Sequence, residues 1–95
     1  MKHLRFIWDE SKNIANQKKH HIAFEEAQTV FYDDFARLIH DSEHSDSEDR
    51  FILLGLSSQL RLLVVVHAYR EQDEIIRIIS ARRATKTESK YYTLR

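Results

Sequence analysis

Two apolar stretches near the C-terminus decide the fold: RLLVVVHAY at residues 61–69 and IIRIISAR at residues 75–82. Both stretches are rich in β-branched residues and are bounded by polar segments, which is typical of strands buried on both faces. The five residues between them, REQDE at 70–74, are all polar and fit a short hairpin loop. The sequence therefore predicts an antiparallel hairpin at the centre of the fold.

The register of this hairpin follows from its loop. A symmetric loop sets Tyr69 opposite Ile75 and His67 opposite Arg77. Because paired side chains point to the same face, His67 and Arg77 would lie side by side. We therefore expect an imidazole beside a guanidinium, next to the basic run at residues 82–86, and a shift of one residue would separate them.

Further strands extend the sheet towards the N-terminus. Residues 51–57 predict a strand that turns at 58–60 into the 61–69 strand, which makes the latter the centre of a meander. Residues 35–40 and 4–8 are also apolar enough to predict strands. The polar stretch between residues 41 and 49 is interpreted as a long, mobile connection.

Three helices are predicted beside the sheet. The carboxylate of Asp9 can cap a helix that ends near residue 19. Apolar residues at helical spacing predict a second helix at 24–31, although its cap position holds Ala23, which has no acceptor. TKTE at 85–88 has capping-box spacing and begins a third helix. The order predicts an α+β fold: a four- to five-stranded, mainly antiparallel sheet with two N-terminal helices and one C-terminal helix, all on one face.

Length and composition restrict the class of protein. Ninety-five residues suffice for one domain, so we expect residues 1–95 to form a single unit. The absence of cysteine excludes disulfides and thiolate metal sites. No apolar run approaches the ~18 residues of a membrane span, and the start MKHLR lacks the apolar segment of a signal peptide. We expect a cytoplasmic protein without a membrane partner.

The charges are unevenly distributed along the chain, although 15 basic and 15 acidic residues give a formal net charge of zero. Residues 33–49 contain seven acids and one base, and residues 77–95 contain six bases and one acid. Such a distribution favours a surface that binds a polyanion near the C-terminus. The acidic run is interpreted either as the surface for a basic partner or as a solvated loop.

Motifs along nearly the whole chain resemble the BrnT toxin family. In order, they are FIWDESK (6–12), Asn16, KH (19–20), FEEA (24–27), VFYD (30–33), LLVVV (62–66), IRIISAR (76–82), Ala84, Glu88 and Tyr91. The resemblance implies a RelE-like fold and a ribonuclease toxin of a type II toxin–antitoxin pair. It also implies that the protein blocks translation and is neutralised by a tightly bound BrnA-type antitoxin. Its partners would be RNA and that antitoxin, as a dimer or a heterotetramer.

Two turns depart from the family pattern. The family usually has glycine after Lys19-His20 and before Arg61, where this chain has His21 and Leu60. A left-handed backbone costs a non-glycine residue about 1–2 kcal/mol. Either these turns have a different shape, or the chain tolerates the strain.

The implied cleavage of RNA requires particular kinds of side chain. RNA supplies its own 2′-OH as nucleophile, so cleavage without metal or cofactor needs a base, a phosphate clamp and an acid. We expect Arg77 and Arg82 to clamp the phosphate and His67 to be the acid or base, with His20 as the competitor. Regular alternation puts the two arginines on opposite faces, so a shared site requires Arg82 to lie past the strand end. The residues expected to bind the rest of the RNA are Lys12, Lys19, His20, Arg83, Lys86 and Tyr91, with Trp8 as another stacking platform.

Each assignment has a structural alternative. His67 is equally well explained as a hydrogen-bonded core residue, and Arg77 as the partner of Glu71 or Asp73. The basic C-terminal stretch also fits a nucleic-acid- or protein-binding module without catalysis.

The histidines have an alternative of their own. His40 and His44, with Asp41, have a spacing that suits adventitious metal binding. We expect no functional metal site.

Overall fold

A five-stranded sheet forms the core of the computed structural model, which describes residues 4–93. Its strands are β1 (Arg5–Ile7), β2 (Arg37–His40), β3 (Phe51–Leu56), β4 (Leu62–Arg70) and β5 (Ile75–Arg83). They lie in the order β1-β5-β4-β3-β2, so β4 is the middle strand, as predicted. β2, β3, β4 and β5 pair antiparallel, whereas β1 pairs with β5 in parallel. The sheet is therefore mixed, which corrects the expectation of a mainly antiparallel one.

The first two helices begin at the predicted residues, but only the first has a side-chain cap. α1 (Glu10–His20) follows Asp9, whose carboxylate accepts a hydrogen bond from the Ser11 amide at 2.9 Å. α2 (Phe24–Ala27) has only four residues and continues as a 3-10 turn at Gln28–Tyr32, so only the first half of the predicted second helix is α-helical. There Thr29 Oγ1 donates to the Glu26 carbonyl at 2.6 Å, a local bond that competes with the helical ladder.

The C-terminal helix, α3 (Lys86–Thr93), has the predicted capping box. The Thr85 amide donates to Glu88 Oε1 at 2.8 Å, and the Glu88 amide donates to Thr85 Oγ1 at 3.1 Å. Among the helices that lie within residues 4–93, none has both the length and the apolar character required to cross a membrane.

The two faces of the sheet have different coverings. On one, here called the helix face, Leu63, Val65 and Ile78 pack in the core with residues of α2 and its neighbours, including Ile22 and Phe24. The other face is called the loop face and bears Ile52, Val64, Val66, Arg77 and Arg82. α3 bonds to this second face, since Glu88 pairs with Arg82. The expectation that all helices lie on one face of the sheet is therefore wrong.

The β4–β5 register differs from the prediction. β4 extends to Arg70, which pairs with Ile75, so the hairpin loop has four residues rather than five. His67 consequently pairs with Ile78 and Arg77 with Ala68, on opposite faces of the sheet. The predicted His67–Arg77 pair is wrong.

A β-bulge separates the two arginines of β5. Between the Val66–Ser80 and His67–Ile78 pairs, Ile79 is an extra residue on β5. The extra residue reverses the alternation, so Arg77 and Arg82 lie on the same face within one strand. The expected condition that Arg82 lie past the strand end is therefore not met, because Arg82 is still within β5.

Beyond β1, the exposed edge of β5 is closed by a side chain of α1. The Asn16 amide nitrogen donates to the Ala81 carbonyl at 2.8 Å, and the Ala81 amide donates to Asn16 Oδ1 at 3.1 Å. Asn16 is itself buried, so this side chain replaces a neighbouring strand and satisfies the backbone of β5.

Both turns that lack the family glycine keep the left-handed backbone. His21 has φ 60° and Leu60 has φ 62°. Each therefore retains the turn at a cost of about 1–2 kcal/mol. The two turns therefore do not change shape, and the chain tolerates the strain of a left-handed backbone without glycine.

Candidate active site

His67 lies deep in the helix face, with 0% of its surface exposed. Its Nδ1 is 3.1 Å from the Val65 carbonyl oxygen, and its Nε2 is 3.2 Å from the Tyr69 hydroxyl. The ring packs edge-on against Phe31, with 4.8 Å between centroids. Burial lowers the pKa of His67 to about 4, because desolvation disfavours the charged imidazole. In this position His67 is out of reach of a substrate in solution.

The loop face carries a groove of about 340 Å³. Its floor consists of apolar residues from the central strands, among them Ile52, Val64 and Val66. His44 and Arg50 reach its rim from residues 41–50, the acidic connection between β2 and β3, and Arg82 reaches it from β5. The groove therefore joins an apolar surface to an imidazole and two guanidinium groups, with the carboxylates of Asp41 and Glu43 also in its lining.

A larger cavity, of about 600 Å³, lies between β1 and the β4–β5 hairpin. Its charged lining consists of Arg5, Asp73 and Glu74. The groove also has two carboxylates, but it sets them against two guanidinium groups and an imidazole, whereas the larger cavity has one guanidinium, so the groove is the better candidate for a site that binds a polyanion.

His44 is held by a carboxylate. Its Nδ1 is 3.0 Å from Asp41 Oδ2, and the Asp41 side chain is 12% exposed, against 64% for His44. The Asp41 backbone is fixed in turn, because its amide donates to the Arg50 carbonyl at 2.8 Å and its carbonyl accepts from Ser45 Oγ at 2.6 Å. An imidazole oriented through Nδ1 presents Nε2 to a substrate, as a general acid or base requires.

Arg82 is positioned by α3. Its Nη1 and Nη2 each donate to a carboxylate oxygen of Glu88 at 2.8 Å, and Nη1 also donates to the Arg83 carbonyl at 3.3 Å. The two charge-assisted bonds lower the pKa of Glu88 to about 2 and raise the pKa of Arg82. These contacts use three of the five guanidinium donors, so two remain for a ligand.

Arg77 lies beside the groove and forms an ion pair with Glu48 of the acidic connection. The alternative pairing with Glu71 or Asp73 is not the one found. Arg70 Nη2 is 3.2 Å and Arg50 Nε is 3.9 Å from the same carboxylate. Arg50 therefore connects this cluster to the groove, and Arg77 and Arg82 share one face without being in contact with the same carboxylate.

The predicted RNA-binding residues are divided between the two sides of the sheet. Lys12, Lys19 and the half-buried His20 lie on α1, which is joined to the edge of β5 by Asn16 and to the start of α2, on the helix face, by Asn13. Arg83 pairs with Leu63 and therefore also points to the helix face. Lys86 and Tyr91 are exposed on α3, which bonds to the loop face.

Trp8 belongs to the core rather than to a surface platform. Its ring meets Phe24 edge-on, with centroids 6.0 Å apart, and its Nε1 donates to Glu10 Oε1 at 3.1 Å. Trp8 is half-buried and packs against the main hydrophobic cluster.

His44, Asp41 and Arg50 line the candidate site but were not among the residues that the sequence predicted. The Asp41-x-x-His44 spacing was the available signal, but the acidic connection was interpreted as mobile and its histidines only as adventitious metal ligands. Between residues 4 and 93, no three His, Asp or Glu side chains are grouped so that they can hold a metal ion.

Comparisons with known proteins agree with this architecture. The family described as the ribonuclease toxin, BrnT, of type II toxin–antitoxin systems matches residues 8–88. A similar solved structure is the ribonuclease toxin BrnT of Brucella abortus, with a TM-score of 0.66 and 23% identity over 88% of this chain and 100% of that chain. At this identity the structural likeness concerns the fold. No curated protein matches the chain. The family match spans most of the sequence, so the chain belongs to the BrnT family of ribonuclease toxins of type II toxin–antitoxin systems.

Proposed function

We propose that the chain is a metal-independent endoribonuclease whose active site is the groove on the loop face. The observation that supports this is the grouping of the Asp41-oriented His44 with Arg50 and Arg82 around one groove. Phosphoryl transfer from RNA to its own 2′-OH needs an acid–base group and cations that stabilise charge on the phosphate. The proposal transfers the acid–base role from the buried His67 to His44.

The reaction follows from these positions. His44 Nε2 accepts the proton of the 2′-OH, and the 2′ oxygen attacks the adjacent phosphorus. The bond from phosphorus to the 5′ oxygen breaks, and that oxygen takes a proton from the solvent that reaches the open groove. The products are a 2′,3′-cyclic phosphate and a 5′-OH. Arg82, held rigid by Glu88, and Arg50 bind the nonbridging oxygens as negative charge develops on them.

The neighbouring surface extends the substrate path. Lys86 and Tyr91 on α3 are proposed to contact the next phosphate and base, with the exposed Tyr91 ring as a stacking surface. Lys12, Lys19, His20 and Arg83 lie on the other side of the sheet. In this proposal they contact only an RNA that passes around the edge of β5.

The cellular role is proposed from family membership. The chain, acting as one domain of the RelE-like group, would cut RNA in the cytoplasm, inhibit translation and be neutralised by a BrnA-like antitoxin in a dimer or heterotetramer. The three consecutive antiparallel pairings from β2 to β5 support the RelE-like grouping. Growth arrest on induced expression, relieved by the neighbouring reading frame, is the expected result, and harmless expression alone contradicts the role.

Purified protein and a labelled RNA test the chemistry. We expect cleavage in EDTA, products ending in 2′,3′-cyclic phosphate, and no cleavage at a 2′-deoxy position. Arg82→Ala should slow cleavage about a hundredfold or more, since it removes transition-state charge stabilisation. Lys18→Ala is the matched control, because this cation is exposed on α1, away from the groove. Loss of cleavage in EDTA, or full activity of Arg82→Ala, contradicts the proposal.

A second candidate is a nucleic-acid-binding module without catalysis. It is favoured by the exposed cations Arg83 and Lys86 near the C-terminus, together with the ion pairs of Arg77 with Glu48 and of Arg82 with Glu88, which are typical of structural contacts rather than of catalysis. RNA that is bound with a linear dependence of log affinity on log salt, yet remains intact, supports this alternative.

A further inference from the structure

Three arginines converge on a single carboxylate at the end of the groove. Glu48 forms an ion pair with Arg77, and its Oε2 is 3.2 Å from Arg70 Nη2. Arg50 Nε is 3.9 Å from Glu48 Oε1. The three cations come from separate places in the chain: Arg50 directly precedes β3, Arg70 ends β4 and Arg77 is the third residue of β5. One negative charge is therefore surrounded by three positive ones.

The carboxylate does not satisfy this cluster. Arg77 Nε is buried and has no hydrogen-bond partner among the described residues, although Nη2 of the same guanidinium bonds to Glu48. A buried donor without a partner is costly, and most such groups in native proteins are paired. A phosphodiester presents two nonbridging oxygens and can take Nε and Nη2 of one guanidinium together. With three cations around one carboxylate and one guanidinium donor left without a partner in the described part of the chain, the cluster can accept a phosphate in place of that carboxylate.

The cluster is also continuous with the groove. Arg50 lines the groove and approaches Glu48. Glu48 belongs to the segment 41–50, whose two ends are hydrogen-bonded to each other. The Arg50 amide donates to Ser45 Oγ at 3.0 Å, and the Asp41 amide donates to the Arg50 carbonyl at 2.8 Å. The neighbouring Asp46, Ser47 and Asp49 side chains are exposed.

We infer that Arg50, Arg70 and Arg77 form a second phosphate-binding subsite for the RNA strand in the groove, and that Glu48 occupies it in the free protein. The inference rests on the proposed function, in which RNA lies along this face. An RNA phosphate must displace Glu48. The displaced carboxylate is then exposed to water and takes up a cation from the solution. Glu48 therefore weakens RNA binding and reduces the net release of ions that accompanies it.

Binding of a 2′-O-methyl oligonucleotide, which has no free 2′-OH and cannot be cut, isolates this step from catalysis. Fluorescence anisotropy should show that Glu48→Gln binds about threefold to tenfold more tightly than the wild type, as expected for loss of one competing ion pair. The slope of log affinity against log salt should become steeper by about 0.7, the contribution of one phosphate contact in a single strand. Adding Arg70→Ala to Glu48→Gln should remove both gains.

Asp46→Asn is the matched control, since it removes one charge from the same segment at an exposed side chain. An equal gain from Asp46→Asn and Glu48→Gln would mean that bulk charge explains the effect, and would overturn the inference. So would unchanged affinity of Glu48→Gln.

A measurement on the wild type covers the case in which Glu48→Gln does not fold. Titration with inorganic phosphate should shift the NMR signal of the Arg77 Nε–H, and an unmoved signal overturns the inference. The outcomes separate the two proposals. Cleavage of RNA without these effects keeps the proposed function alone, whereas these effects without cleavage keep the subsite alone.

Discussion

His67 on the helix face and the arginines on the loop face of one sheet have opposite surroundings. On the helix face, burial lowers the pKa of His67 to about 4, and the ring is neutral at physiological pH. On the loop face, Arg77 and Arg82 form ion pairs with Glu48 and Glu88, and His44 stays exposed beside Asp41. Burial stabilises the fold but removes a residue from solution chemistry, whereas partly exposed pairs can exchange partners. In the proposed function, the histidine of the helix face is structural and that of the loop face is catalytic.

Exchanging the two histidines for glutamine tests that division most severely. His44→Gln should slow RNA cleavage about a hundredfold or more, because a glutamine cannot transfer the proton. His67→Gln should lower the melting temperature and leave the rate per folded molecule nearly unchanged. Cleavage rates and melting curves of both variants provide the measurement. A rate that depends on His67 and not on His44 would reverse the assignment of the faces.

The pH dependence of stability sharpens the same contrast. The folded-state pKa of His67, about 4, is below the unfolded value near 6.5, so the unfolded state binds more protons between these values. Wild-type stability should therefore fall as the pH decreases from 6.5 to 4, and the contribution of this site is on the order of 3 kcal/mol. Denaturant unfolding at several pH values checks it. His67→Gln is the reference, and an identical pH dependence in the two proteins contradicts the prediction.

The strands and the central position of β4 could be predicted from the sequence, because β-branched runs report burial directly. The register could not, since nothing in the pattern specifies whether Arg70 ends the strand or begins the loop. The bulge at Ile79 could not be predicted either, because an isoleucine at this position fits a regular strand equally well. One residue fewer in the loop was enough to send His67 and Arg77 to different faces, and the one extra residue of the bulge brought Arg77 and Arg82 to the same face.

The candidate site was predictable only in part. Arg82 was identified because basic residues at the end of a strand suggest phosphate binding. His44 and Arg50 were missed because composition alone makes an acidic segment look solvated and mobile. Their positions depend on contacts distant in sequence, such as Glu48 with Arg77, and on the local bond between Asp41 and Arg50. Pairing of this kind is a tertiary property that local patterns do not encode.

Gly55 provides a test of packing on the helix face. A Cβ at this position would lie 2.8 Å from Ala36 Cβ and 2.9 Å from Val30 Cγ1, closer than carbon atoms pack. Gly55→Ala should therefore destabilise the protein by about 1–3 kcal/mol, the usual cost of overpacking. Chemical denaturation measures it, with the exposed Ser47→Ala of the acidic segment as the control. Equal unfolding midpoints for the two variants would show that the helices over this face yield readily.

The smallest expected effect is at the start of α2. Ala23 occupies the N-cap with an extended backbone, φ −83° and ψ 148°, and makes no side-chain capping bond. Ala23→Ser adds an oxygen that can accept from the first-turn amides, so the free energy of unfolding should rise by about 1 kcal/mol. Ala23→Gly is the control, because glycine suits a cap but supplies no oxygen. If serine and glycine stabilise equally, backbone freedom rather than the capping bond limits this helix. If serine leaves the melting temperature of the wild type unchanged, water or the main chain already satisfies those amides.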